Sequence, residues 1–117
     1  MENKKIYMSM LFDFFGDLLT EKQREYFDLY YNEDLSLSEI GESAGISRQG
    51  VRDIIVRAEK TLLDLEKKTG VVRRFDELRI TLTSVEADLR RIDDIAANKD
   101  ISAIIAGLLN KTHDLKG

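Results

Sequence analysis

Residues 37–54 read LSEIGESAGISRQGVRDI and decide the fold of this 117-residue chain. Two short segments with helical apolar spacing flank a glycine, an arrangement typical of a helix-turn-helix. The inward-facing residues of the two predicted helices are Ile40, Ala44, Val51 and Ile54. Gly41 leaves room where the helices cross, Gly45 permits the positive φ of a sharp turn, and Ile46 plugs that turn. The stretch therefore predicts two packed helices joined at Gly45.

Helix-start signals occur before this stretch and within it. Residues 20–23 (TEKQ) and 36–39 (SLSE) both match a capping box, in which a hydroxyl accepts from the backbone amide three residues on and the longer side chain reaches back. Ser47 is placed to cap a further helix, and Gly70 to end that helix after about Lys68. The spacing therefore predicts helices that begin after residues 20, 36 and 47.

Apolar residues also recur at helical spacing before residue 32. On a first helix they form one predicted stripe of Tyr7, Met10, Leu11, Phe14, Phe15 and Leu18. On a second helix the predicted apolar face is Tyr26, Phe27, Leu29 and Tyr30. Eight of the nine aromatic residues fall between Tyr7 and Tyr31, so this part of the chain is expected to hold the bulky core.

The composition excludes several classes of protein. The chain has no proline, which favours long uninterrupted helices, and no cysteine, which removes disulfides, thiolate metal sites and cysteine nucleophiles. Its one histidine, His113, lies near the carboxyl end, and there is no glycine-rich phosphate loop. No apolar run approaches the roughly 20 residues of a membrane-spanning helix. We therefore expect a cytoplasmic chain without membrane association, catalysis, metal or cofactor.

Charge is distributed unevenly along the chain. Residues 1–66 contain 8 basic and 14 acidic side chains, and residues 67–117 contain 10 and 8, which gives −6 and +2. The overall charge of −4 argues against a surface that binds nucleic acid or anionic membrane everywhere. Any nucleic-acid site is therefore expected to be local.

A local basic patch follows the predicted turn. Its outward residues are Ser47, Arg48, Gln49, Arg52, Arg57 and Lys60. The first turns of a recognition helix lie against base edges in the major groove, where arginine bonds guanine and glutamine bonds adenine. Ser47 and the first-turn amides suit a phosphate. The alternative interpretation is the solvated face of an ordinary helix, which Gly50 and Asp53 favour.

Four segments resemble known proteins: residues 19–24 (LTEKQR), 29–31 (LYY), 36–41 (SLSEIG) and 45–53 (GISRQGVRD). Together they resemble the fourth region of bacterial sigma factors, in which a helix-turn-helix reads the −35 promoter element. The resemblance implies DNA contacts for Arg48 and Arg52. Gly50 and Asp53 depart from the sigma pattern.

The resemblance to a second family covers more of the chain. Over nearly all of residues 3–113, including RAEKTL at residues 57–62, the sequence is similar to the YlxM family of small bacterial proteins. That resemblance implies a DNA-binding helix-turn-helix protein. Because genes of this family lie beside those of the signal recognition particle protein and its receptor, it also implies a link to that pathway.

The rest of the chain carries a heptad pattern. Apolar residues at alternating spacings of three and four form one seam: Phe75, Leu78, Leu82, Val85, Leu89, Ile92 and Ala96. A shorter amphipathic segment follows from about Asp100. The two segments form either a helical hairpin within one chain or a seam shared by two chains. We favour a homodimer, because a long exposed stripe would otherwise aggregate.

The sequence thus predicts an all-α chain with two domains. A helix-turn-helix module is expected over residues 1–68, and a helical association element, with a long heptad helix and a short amphipathic one, over residues 69–117. The leading hypothesis is a regulator that binds double-stranded DNA as a homodimer. The rival hypothesis is a protein-interaction module that acts on the signal recognition particle or its receptor without binding DNA.

Overall fold

The computed structural model describes residues 2–117 and, of Glu2, the backbone alone. Over that range the chain is all-α, as the sequence predicts. In chain order the elements are α1 (Glu2–Phe15), a 3-10 turn (Gly16–Leu18), α2 (Glu21–Tyr31), α3 (Leu37–Ala44), α4 (Arg48–Thr69), α5 (Val71–Ala96) and α6 (Lys99–Lys116). They divide into two compact units, Met1–Val72 (unit 1) and Arg73–Gly117 (unit 2). None of the described helices is long and apolar enough to cross a membrane.

The predicted helix ends are confirmed. Thr20 and Ser36 each form a complete capping box, with Gln23 and Glu39 as the reciprocal side chains. The Ser47 hydroxyl caps α4 by accepting from the amide of residue 50 at 3.0 Å. The glycines that follow α3 and α4 adopt left-handed φ values of 74° and 62°. Local side-chain chemistry therefore sets where these helices begin and end.

The core of unit 1 is built against α4 by α1, α2 and α3. Its buried residues are Met8, Leu11, Phe15, Leu19, Tyr26, Phe27, Tyr31, Ile40, Val51, Ile55, Ala58, Leu62 and Val72. Phe27 lies fully buried among them, and its ring stacks on Phe12 at a centroid distance of 4.9 Å and on Tyr31 at 4.4 Å. Three stacked rings thus join α1 to α2 at the centre of the unit.

The predicted faces of α1 and α2 are partly wrong. Leu11 and Phe15 are buried as expected, but the structure buries Met8 and leaves Tyr7, Phe14 and Leu18 exposed. On α2, Tyr31 takes the buried position predicted for Tyr30, which is exposed, and Leu29 is half-buried. Apolar residues occupy several sides of α1, so helical spacing alone does not select the side that faces the core.

The turn between α3 and α4 places Gly41 where nothing larger fits. A Cβ on Gly41 would lie 2.8 Å from the carbonyl oxygen of Ile46, closer than real Cβ contacts allow. Two related predictions are wrong, because Ala44 is exposed and Ile46 is 39% exposed instead of plugging the turn. The turn is therefore closed by backbone packed on backbone at Gly41, so it needs no apolar plug.

Unit 2 is an antiparallel pair of α5 and α6 held by polar bonds. The carboxylate of Glu86 accepts from the Thr112 hydroxyl at 2.8 Å and from the Lys116 ammonium at 2.6 Å. Nearer the connection between the two helices, the Ser102 hydroxyl donates to the carboxylate of Asp93. The bonds from Lys116 and Thr112 hold the pKa of Glu86 below its ordinary value, so this buried carboxylate stays ionised and bonded.

The predicted seam of α5 is divided between two directions. Phe75, Leu82 and Leu89 are half-buried and share the side of α5 that carries Glu86 and Asp93. The intervening residues of the seam are 41–50% exposed: Leu78, Val85 and Ile92. These three lie about 50° around the helix from the first set. One half of the heptad pattern thus closes the hairpin, and the other half is open.

The close approach at Gly41 gives a stability prediction. Gly41→Ala should lower the free energy of unfolding by about 1–3 kcal/mol, since the added methyl meets a backbone carbonyl that cannot rotate away. Urea unfolding followed by circular dichroism measures the change. Gly107→Ala is the matched control: a Cβ there meets nothing within 4 Å, so it should stabilise α6 by up to about 1 kcal/mol. Equal stability of the Gly41 variant and the wild type would contradict the packing described.

Candidate nucleic-acid interface

The buried stripe of α4 decides which of its residues face outward. Val51, Ile55, Ala58 and Leu62 lie inward and are at most 3% exposed. Successive residues of an α-helix are separated by about 100° around its axis. Residues about 180° from this stripe therefore face solvent, and they define the surface that a DNA groove could meet.

Four polar residues form what we call the outward ridge of α4: Gln49, Asp53, Arg57 and Lys60. All are exposed and lie within about 80° of arc opposite the buried stripe. The amide of Gln49 donates to the carboxylate of Asp53 at 3.0 Å. The centre of the ridge thus carries a bonded acid and amide, with two cations on the following turns.

Arg48 and Arg52 lie apart from the ridge, on a flank of α4 between the outward and buried sides. Both are exposed, and Arg52 is about 140° around the axis from Arg57. Arg52 also lines a 240 Å³ hollow together with Tyr30 and Glu59. The structure therefore does not bring the six predicted residues onto one face: Gln49, Arg57 and Lys60 share the ridge, while the two arginines form a second edge.

Ser47 lies at the start of α4 and is exposed. Its hydroxyl oxygen accepts from the amide of Gly50, so the hydroxyl proton is free to donate to a phosphate. The first backbone hydrogen bond of α4 runs from the Val51 amide to the Ser47 carbonyl oxygen. The amides of Arg48 and Gln49 precede it and have no carbonyl partner within the helix. A Cβ at Gly50 would lie 3.2 Å from the Ser47 hydroxyl oxygen, so glycine there gives the cap room.

The basic residues of α4 are available to a ligand. Within the described part of the chain, none of Arg48, Arg52, Arg57 and Lys60 has an acidic side-chain oxygen within 4.0 Å. Glu59, which lines the same hollow as Arg52, is already engaged, because its carboxylate accepts from the Tyr31 hydroxyl and lies 3.5 Å from the Lys4 ammonium. Cations without a close acidic partner are the side chains that could meet phosphates.

Tyr31 ties α2 to α4 through Glu59. Its ring is buried, and burial together with the neighbouring Glu59 carboxylate raises the pKa of the Tyr31 phenol well above its ordinary value. The phenol therefore stays protonated and donates to Glu59 throughout the usual pH range. No local pattern in the sequence indicates this bond, since the two residues lie 28 positions apart and neither belongs to a recognisable motif.

Among the described residues, no three histidine, aspartate or glutamate side chains are grouped so that they could hold a metal ion.

Comparison with known proteins gives one family and several close relatives. The model of the UPF0122 family, described as "Putative helix-turn-helix protein, YlxM / p13 like", matches residues 2–104. A UPF0122 protein of Thermoanaerobacter sp. is 39% identical over 115 residues, which is 98% of each chain. A UPF0122 protein of Halalkalibacterium halodurans is 38% identical over 92% of this chain and 96% of its own. One of Caldanaerobacter subterraneus reaches 50% over 67% of each.

The Tyr31 to Glu59 bond predicts a stability difference between two adjacent tyrosines. Tyr31→Phe should cost about 1.5–3 kcal/mol, because a half-buried carboxylate loses its hydroxyl donor. Tyr30→Phe removes the same atom from an exposed ring and should change stability by less than about 0.5 kcal/mol. Denaturant unfolding of the two variants measures this. Equal effects would show that the bond contributes nothing.

Proposed function

The chain belongs to the UPF0122 family of helix-turn-helix proteins, and on that premise we propose that it binds double-stranded DNA through α4 and regulates transcription without catalysing a reaction. The observation that carries the proposal is the set of unpaired cations on the first turns of α4, beside a capped and exposed helix start. A second helix of a helix-turn-helix enters the major groove with these turns. A DNA-binding role would place the chain in the cytoplasm, with the chromosome.

The outward ridge and the flank of α4 would contact different parts of the DNA. The major groove is about 12 Å wide, so a helix that enters it places its outward ridge against base edges and its flanks near the sugar-phosphate strands. Arg48 and Arg52, on the flank, are suited to phosphates, as are Ser47 and the first amides. Gln49 lies on the ridge and faces the bases. This division is a proposal that follows from the azimuth of each residue.

We infer that binding by one module is weak. Unit 1 contains 10 basic and 14 acidic residues, a balance of −4, whereas unit 2 contains 8 of each. Affinity for duplex DNA grows with the number of phosphates neutralised, so four cations in an acidic unit give little of it. Two linked modules would gain effective concentration and could occupy two half-sites.

We propose that unit 2 supplies this linkage by pairing with a second copy of the chain. The open half of the α5 seam, Leu78, Val85 and Ile92, repeats every seven residues over four helical turns. On α6, Ile104 and Leu108 are also exposed, at spacing four. A hairpin with such a stripe completes a four-helix bundle when it meets its own copy.

A second candidate function is a protein-interaction module acting on the signal recognition particle or its receptor. The observation that favours it is the acidic balance of unit 1, which suits a basic partner better than DNA. Co-purification of particle protein or RNA that survives treatment with DNase would support this candidate. Absence of any such complex would count against it.

The DNA-binding proposal predicts the behaviour of a double variant. Arg48→Ala with Arg52→Ala should weaken binding to duplex DNA from the chain's own operon by about tenfold or more at low salt. The slope of log affinity against log salt should fall by about 2 for each bound module, because each module loses two phosphate contacts. Fluorescence anisotropy over a salt series measures both quantities.

The matched control for this experiment removes two cations from the other end of α4. Lys67→Ala with Lys68→Ala makes the same change in charge about 26 Å further along the helix axis. It should leave affinity within about twofold of wild type. If both double variants bind alike, the loss reflects net charge and the assignment of Arg48 and Arg52 is wrong.

The dimer proposal predicts the mass of the particle in solution. Val85→Glu with Ile92→Glu should convert a dimer into a monomer, since four charges would be buried at the two-fold seam. Ile80→Glu is the control, because Ile80 is 65% exposed and lies about 140° around α5 from Val85. Light scattering after gel filtration gives the masses. A wild-type chain that remains monomeric at high concentration contradicts the proposal.

A further inference from the structure

Asp53 occupies the centre of the surface proposed to face DNA. It is exposed, lies on the outward ridge, and has Arg57 and Lys60 one and two turns further on, neither within 4.0 Å of its carboxylate in the structure. A carboxylate there repels phosphates and lowers affinity for any duplex. It becomes favourable only if it bonds a donor on a base edge.

The bond from Gln49 orients that carboxylate. Gln49 lies one turn before Asp53, and its amide nitrogen donates to one carboxylate oxygen at 3.0 Å. An ionised carboxylate accepts through both oxygens, so the second oxygen remains open toward solvent. Because the amide and the acid sit at i and i+4 on an exposed ridge, the bond favours one orientation of the carboxylate without burying it.

The open oxygen accepts hydrogen bonds and cannot donate any. In the major groove only two base groups donate, the exocyclic amines of cytosine and adenine. On adenine the amine is adjacent to N7, an acceptor that repels a carboxylate, whereas cytosine presents its amine without a neighbouring acceptor on the same base. The guanine paired with that cytosine offers two acceptors, which suit a cation such as Arg57 on the next turn of the ridge.

We propose that Asp53 reads cytosine in the major groove and that Gln49 is the residue that positions it. This inference rests on the proposed function, since it names the base that the DNA-binding surface selects. The Asp53 carboxylate therefore lowers affinity for duplexes in general and raises specificity, because it repels nonspecific duplexes but not a duplex with cytosine at one position.

The test is selection of binding sites from a library of randomised double-stranded DNA by the full chain. Wild-type protein should enrich one position for cytosine by about tenfold over other bases. Asp53→Asn should move the preference at that position to adenine, because an amide both donates and accepts and therefore matches adenine N7 and its amine. Its overall affinity should also rise, since one repelling charge is gone.

Two further variants separate base reading from charge and from structure. Asp64→Asn makes the same chemical change on the same side of α4, three turns away, and should leave the cytosine preference intact. Gln49→Ala should weaken the cytosine preference without moving it to adenine, as expected of a positioning residue. Circular dichroism of each variant tests whether it is folded.

The outcomes are distinguishable. Cytosine enrichment that Asp53→Asn moves to adenine supports the inference. DNA binding without cytosine enrichment, or with an enrichment that Asp53→Asn leaves unchanged, overturns it while the proposed DNA-binding function stands. Failure of wild-type protein to bind any duplex at low salt overturns both.

Discussion

Burial of one narrow stripe on α4 is the constraint on which unit 1 depends. Val51, Ile55, Ala58 and Leu62 are covered by α1, α2 and α3, which all pack against this helix. Burying four such side chains contributes several kcal/mol, on the order of 1.5–3 for each large one. A helix with one fixed inward stripe has one fixed outward side. The rotation of α4 that makes the core therefore also decides which side chains could meet a DNA groove.

Polar bonds have the corresponding role in unit 2. Glu86 is buried between Thr112 and Lys116, and a buried carboxylate without partners would be costly. This requirement specifies the register of α5 against α6, since a slip would leave the acid unpaired. It also explains why the heptad seam is only partly used within the chain. The side of α5 that satisfies Glu86 includes Phe75, Leu82 and Leu89 and leaves Val85 and its neighbours open.

Much of the fold could be predicted from local signals, because those signals act over a few residues. The capping boxes at Thr20 and Ser36, and the left-handed glycines 45 and 70, depend on side chains next to the groups they satisfy. The face of α1 could not be predicted in the same way. Tyr7, Met8, Leu11 and Phe14 are all apolar, and only contact with α2 and α4 decides that Met8 is buried and Phe14 is exposed.

The sequence by itself determined the helices, their ends, the glycine at the crossing of α3 and α4, and the polar residues available on α4, because each depends on spacing along one chain. Only the tertiary structure decided how those polar residues are divided. Packing turned Gln49, Asp53, Arg57 and Lys60 outward and left Arg48 and Arg52 on a flank. It also joined Tyr31 to Glu59 across 28 residues. Such pairings depend on how separate helices meet, and no periodicity within one helix encodes that.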